Sequence, residues 1–89
     1  MIYKTLIVDD EPAPRDLLTR LVKNHADIHI EEICSNTASA QLALSKHQPD
    51  LIFLDVEMPG QSGIEWLQKL GDPPCEVIFT TSYSQYAVD

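Results

Sequence analysis

The sequence predicts an α/β fold, a doubly wound parallel sheet of about four strands with helices on both faces. Two observations carry this expectation. Short apolar, β-branched runs alternate with stretches of helical period, in the order strand-helix-strand-helix-strand-helix-strand. The stops between them are turn, proline and capping residues, with no linker, internal repeat or low-complexity segment. Right-handed crossovers put every strand C-terminus on one side of such a sheet. Ligands bind at that side, where the strand order reverses.

Tyr3 to Val8 is apolar enough for a buried first strand, and Asp9-Asp10-Glu11 ends it. Pro12 and Pro14 fall where a helix tolerates proline, in its first turn. Leu17, Leu18, Leu21 and Val22 share one face of that helix, with Arg15, Asp16, Arg20 and Lys23 outside it, and Asn24-His25 close it. Ile28 to Cys34 alternates in part, as an edge strand does: Ile28 and Ile30 point one way, His29 and Glu31 the other. Ser35, Asn36 and Thr37 are capping residues for a second helix, roughly Ala38 to Lys46, which Gln48-Pro49-Asp50 stops. Leu51 to Leu54 reads as a buried third strand that ends on Asp55, before Met58-Pro59-Gly60 turn the chain. A short third helix carries Ile64, Trp66, Leu67 and Leu70, and Gly71-Asp72-Pro73-Pro74 ends it. Glu76 to Thr81 is the fourth strand, and Ser82 to Asp89 resembles the start of a fourth helix.

Composition narrows the function. The 89 residues make one domain, with 44% apolar and 22% charged residues, a globular rather than a disordered balance. A net charge of −8 argues against nucleic acid or an anionic membrane as a direct partner of this segment. No apolar stretch approaches a membrane span, and Met1 to Val8 lacks the pattern of a signal peptide. Cys34 and Cys75 form no metal-type pair and read as reduced structural thiols of a cytosolic protein. His25 and His47 sit near helix C-termini, where a partly positive imidazole is favoured, and no other ligand is spaced to join them at a metal.

The chemistry gathers at the strand ends. The first strand delivers Asp9 and Asp10, the third Asp55, and the fourth Thr80 and Thr81. Two carboxylates about 4 Å apart repel by roughly 4 kcal/mol at an effective dielectric near 20. Three acids at one rim therefore call for a cation or raised pKa values. A hard site of carboxylate oxygens suits Mg²⁺, which keeps some waters and recruits phosphate oxygens. A carboxylate beside such an ion can attack a phosphoryl group and form an aspartyl-phosphate. Asp55, alone after its strand, is the natural nucleophile, and Asp9 and Asp10 are the natural metal holders.

Read together, "LIVDDEP", "LIFLDVEMPGQSG" and "VIFTTSYS" resemble the receiver domain of two-component response regulators, in register over essentially the whole chain. The resemblance implies a flavodoxin-like sheet in the order 2-1-3-4, a cytoplasmic location, and a signalling module rather than a turnover enzyme. It implies that Asp55 is the phosphoacceptor for a sensor histidine kinase. It implies that Asp10 binds Mg²⁺ directly, that Asp9 acts mainly through water, and that the backbone carbonyl of Glu57 and the carboxylate of Asp55 complete the protein ligands. Thr81 takes the part of the switch hydroxyl. The ending "FTTSYSQYAVD" is similar to receivers that precede LytTR-type DNA-binding domains, so transcriptional output is expected from a separate domain.

The pattern departs from the family at one end. A fifth strand ending in lysine, and a fifth helix, do not follow within these residues, and the chain stops inside what resembles helix four. A partial receiver is expected, 1–89, with its fourth strand as an exposed apolar edge that invites a homodimer, a domain swap or aggregation. Weak or absent stable phosphorylation of the chain by itself is expected from the missing lysine. Two other readings compete: a receiver acting only as a dimerisation element, and a Mg²⁺-dependent phosphohydrolase. The second is disfavoured, because "DDEP" lacks a D-x-D pattern and the lone acid follows the third strand.

Overall fold

In a computed structural model, residues 1–58 and 60–80 are described. The elements run β1 (Tyr3–Val8), α1 (Pro12–Lys23), β2 (Ile28–Cys34), α2 (Thr37–His47), β3 (Leu51–Asp55), α3 (Gly63–Leu70) and β4 (Glu76–Thr80). All strand pairs are parallel, in the order β2-β1-β3-β4. The strand order therefore reverses between β1 and β3, and the C-terminal ends of these two strands flank the expected ligand crevice.

Register sorts the side chains onto two faces. Leu6 pairs with Ile52, and Ile52 with Val77; Val8 pairs with Leu54. These residues share one face and pack with Cys34, Ala40, Ala43 and Leu44 under α2, and with Met58 and Trp66 toward α3. The other face carries Thr5, Ile7, Phe53 and Ile78, and α1 lies over its β1–β2 side. Both sheet faces are thus helix-covered, as the alternation of elements predicts. Trp66 is buried and its indole N–H donates to Gln41 Oε1 at 2.9 Å, which ties α3 to α2.

Three details differ from the sequence reading. The helical face of α1 is only partly used: Val22 is buried, whereas Leu17 and Leu21 are 54% and 55% exposed. These leucines line a groove of about 190 Å³ with Pro14, Leu18, Asp9 and Thr80. The alternation of β2 breaks at a bulge, where the pairing steps from Thr5–Ile30 to Leu6–Glu32. The extra residue, Glu31, shifts the phase, so Ile33 is exposed and Cys34 buried. The bulge also lets two successive carboxylates, Glu31 and Glu32, both reach the His47 ring, at 3.3 and 2.9 Å. Finally, α2 runs one residue further at each end than predicted, capped by Asn36, whose side chain accepts from Ser39 N at 2.8 Å.

β4 is an edge strand among the described residues, and its Ile78 and Phe79 are 46% and 48% exposed. The predicted turn residue Pro59, the last strand residue Thr81, the tyrosines at 83 and 86 and the start of a fourth helix lie outside the described residues.

Candidate phosphoryl-transfer and metal site

The acidic rim is built by strand register. Val8 pairs with Leu54, so Asp9 and Asp55, one step further along each strand, stand side by side at the crevice. Burial reaches the end of both strands: Asp9 is 3% exposed and Asp55 fully buried. Asp10 follows at the start of the loop and is half-buried. One carboxylate oxygen from each of the three aspartates lies within 4.8 Å of the others.

The loops after the strands hold the carboxylates by their own backbone. Asp9 Oδ1 accepts from Glu11 N at 2.9 Å, and Asp55 Oδ1 accepts from Glu57 N at 3.3 Å. The same loop turns of the chain begin α1, where Pro12 needs no amide partner, and lead toward α3. Arg15 reaches back from α1, and its Nη1 donates to the carbonyl oxygen of Asp9 at 3.4 Å. α3 starts tight against the backbone of Asp55. Gly63 N donates to Val56 O at 3.1 Å, and a Cβ at Gly63 would overlap the carbonyl oxygen of Asp55 and stand 2.9 Å from Leu54 Cγ. The second glycine of "MPGQSG" is therefore a packing requirement beneath the site.

Electrostatics mark the rim as strained when charged. Burial pushes the Asp55 carboxyl up to about 7, helped by the charges of Asp9 and Asp10 and opposed by the Glu57 amide. Burial likewise raises Asp9, against the Glu11 amide and a hydrogen bond shared with Asp55. Two buried carboxyls that resist ionisation beside a third acid are a donor set suited to a divalent cation. Asp55 Oδ2 is a buried oxygen with no hydrogen-bond partner among the described residues. The residues present therefore fit Mg²⁺.

The structure brings together Asp9, Asp10 and Asp55 of the sequence-predicted site. Glu57 lies in the loop directly after β3, while Thr81 is outside the described residues. Sequence reasoning brought Thr80 to the rim but gave it no role, since a threonine near a strand end carries no signal by itself of where its hydroxyl points. Its hydroxyl is the other buried side-chain atom that lacks a partner among the described residues.

Comparison with known proteins agrees with this geometry. Residues 5–89 match the response regulator receiver domain family. The chain is 41% identical over 89 residues to the transcriptional regulatory protein BtsR of Salmonella typhimurium, covering 98% of this chain and 37% of that one. It is 40% identical to BtsR of Escherichia coli over the same share. Among solved structures, the response regulator domain of Thermotoga maritima CheB superposes with a TM-score of 0.82 at 28% identity, over 92% of this chain and 62% of that chain. A LuxR-family DNA-binding response regulator from Staphylococcus aureus gives a TM-score of 0.78 at 27% identity, over 92% of this chain and 70% of that one. The chain thus spans well under half the length of the curated relatives it matches. The parallel order β2-β1-β3-β4, the acidic rim at its reversal and these matches agree, and the chain belongs to the response regulator receiver domain family.

Proposed function

We propose that the chain is a phosphoacceptor module. Asp55 takes a phosphoryl group from the phosphohistidine of a sensor kinase, and the change is passed to an output that regulates transcription. The observation that supports this is the convergence of Asp9, Asp10 and Asp55, whose carboxylate oxygens lie within 4.8 Å of one another. The match to transcriptional regulators supports the output, which other parts of a longer protein would supply. No described helix is long and apolar enough to cross a membrane, and a cytoplasmic site of action agrees with the kinase as donor.

Asp9, Asp10, Asp55 and the Glu57 carbonyl would hold Mg²⁺, which would neutralise charge on the phosphoryl oxygens. The remaining work belongs to the chain. The Glu57 amide fixes one oxygen of Asp55 and so orients the carboxylate plane. An Asp55 oxygen attacks phosphorus, the bond from phosphorus to the donor nitrogen breaks, and the nitrogen keeps the electron pair and takes a proton. The product is a mixed anhydride on Asp55. Thr81 stays the proposed switch hydroxyl, and the exposed edge of β4 is a proposed contact for a second copy.

The test is incubation with the kinase or a small acyl phosphate in Mg²⁺, followed by mapping of the modified residue. Phosphoryl incorporation at Asp55, lost in Asp55→Asn and reduced in Asp10→Asn, is expected. Incorporation at another residue, or Mg²⁺ affinity unchanged in both variants by isothermal titration, overturns the reading.

A further inference from the structure

Two buried side-chain polar atoms lack a hydrogen-bond partner among the described residues, Asp55 Oδ2 and Thr80 Oγ1. They belong to residues paired directly across β3 and β4. Paired residues of parallel strands carry their side chains on the same face, with strands about 4.8 Å apart. Asp9, Asp55 and Thr80 thus form one row across the sheet, with Asp55 in the middle. Asp9 stands on one side of Asp55, and Thr80, on the other, holds a hydroxyl with no partner among the described residues. Thr80 also lines the same groove as Asp9.

We propose that the Thr80 hydroxyl donates a hydrogen bond to Asp55 Oδ2 and is a positioning residue for the phosphoacceptor carboxylate. A rotation about the Thr80 Cα–Cβ bond turns the donor toward the row without moving the backbone, which is held by the bond from Val56 N to Thr80 O at 3.0 Å. The bond satisfies two buried atoms at once, each of which is costly to leave unpaired. It also fixes the oxygen that the Glu57 amide does not reach, so that both ends of the carboxylate are held. The competing view is that Thr80 is a strand-former whose hydroxyl faces only the α1 groove. That view leaves unexplained why the two unpartnered atoms are register partners. The role rests on Asp55 being the phosphoacceptor; the hydrogen bond itself does not.

The experiment has two arms in the 89-residue chain. The first is a double-mutant cycle on unfolding with Thr80→Val and Asp55→Ala. Thr80→Val, nearly isosteric, is expected to lower the folding constant about fivefold when Asp55 is present, and to leave it unchanged or raised beside Asp55→Ala. Equal effects in both backgrounds overturn the proposal. The second arm follows phosphoryl uptake from an acyl phosphate. Thr80→Val is expected to slow it about tenfold, Thr80→Ser to restore it to within about threefold, and Mg²⁺ affinity to stay within about twofold in both. Uptake as fast in Thr80→Val as in the parent chain overturns the positioning role. Uptake mapped to a residue other than Asp55, with coupling intact in the first arm, overturns the phosphoacceptor reading instead and leaves the hydrogen bond standing.

Discussion

Asp55 is held where a carboxylate is least comfortable: fully buried, with a second buried acid at its side. Its pKa, raised to about 7, makes a stability statement. The folded chain binds a proton there more tightly than the unfolded chain does, so the favourable contribution is complete below about pH 4. It is lost as pH rises toward 7, and Asp9 shifts in the same direction. Without divalent ions, Tm is therefore expected to fall between pH 5 and 8, followed by circular dichroism. Added Mg²⁺ should raise Tm more at pH 8 than at pH 5, because the ion competes with protons for the same oxygens. A Mg²⁺ effect independent of pH would contradict this. For the same reason Asp55→Asn is expected to stabilise the metal-free chain by about 1–2 kcal/mol at pH 8 in urea melts, while abolishing phosphoryl uptake. Legibility at this scale was uneven. "DDEP" and "LDVEMPG" show which acids end strands, but no local pattern says that Thr80 pairs with Asp55, which register alone decides.

α3 shows how an element serves the site. Its first residue, Gly63, lies against the Asp55 carbonyl, and its N-cap, Ser62, forms a reciprocal capping box with Glu65. Gly63→Ala must push the helix start away from the backbone of Asp55. It is expected to cost about 1–3 kcal/mol and to lower phosphoryl uptake as well as stability. Ser62→Ala removes only the cap, for about 1 kcal/mol, and is expected to leave uptake nearly unchanged. Urea unfolding and uptake rates on the two variants separate the roles; equal loss of uptake in both would assign the glycine to helix stability alone. The β2 bulge is the converse case. Local alternation gives the phase of β2 through Ile30, but nothing local signals that Glu31 is extra. The bulge shows only in the pairing with β1, and with it both glutamates reach the His47 ring.

At the scale of the molecule, charge and edge oppose one another. The chain carries −8, which drives copies apart. Yet among the described residues β4 is a strand edge with exposed Ile78 and Phe79, next to a groove flanked by Leu17 and Leu21. Salt screens the repulsion, with a Debye length of about 10 Å at 0.1 M, and leaves the apolar contact intact. Light scattering should therefore give a mass that rises with protein concentration, and more steeply at high salt. A monomer mass at every concentration and salt would refute the proposed self-contact.

The sequence by itself determined the kinds and order of the elements, the helix stops and the acids that terminate β1 and β3. These follow from local period, turn chemistry and charge, which a linear chain carries openly. Tertiary structure alone decided that Asp9 and Asp55 are buried, that their oxygens come within 4.8 Å of each other and of Asp10, and that Thr80 completes their row. It also decided that half the apolar face of α1 stays open. The reason is that burial, register and the distances between charges are set by residues far apart in the chain, and no local pattern records them.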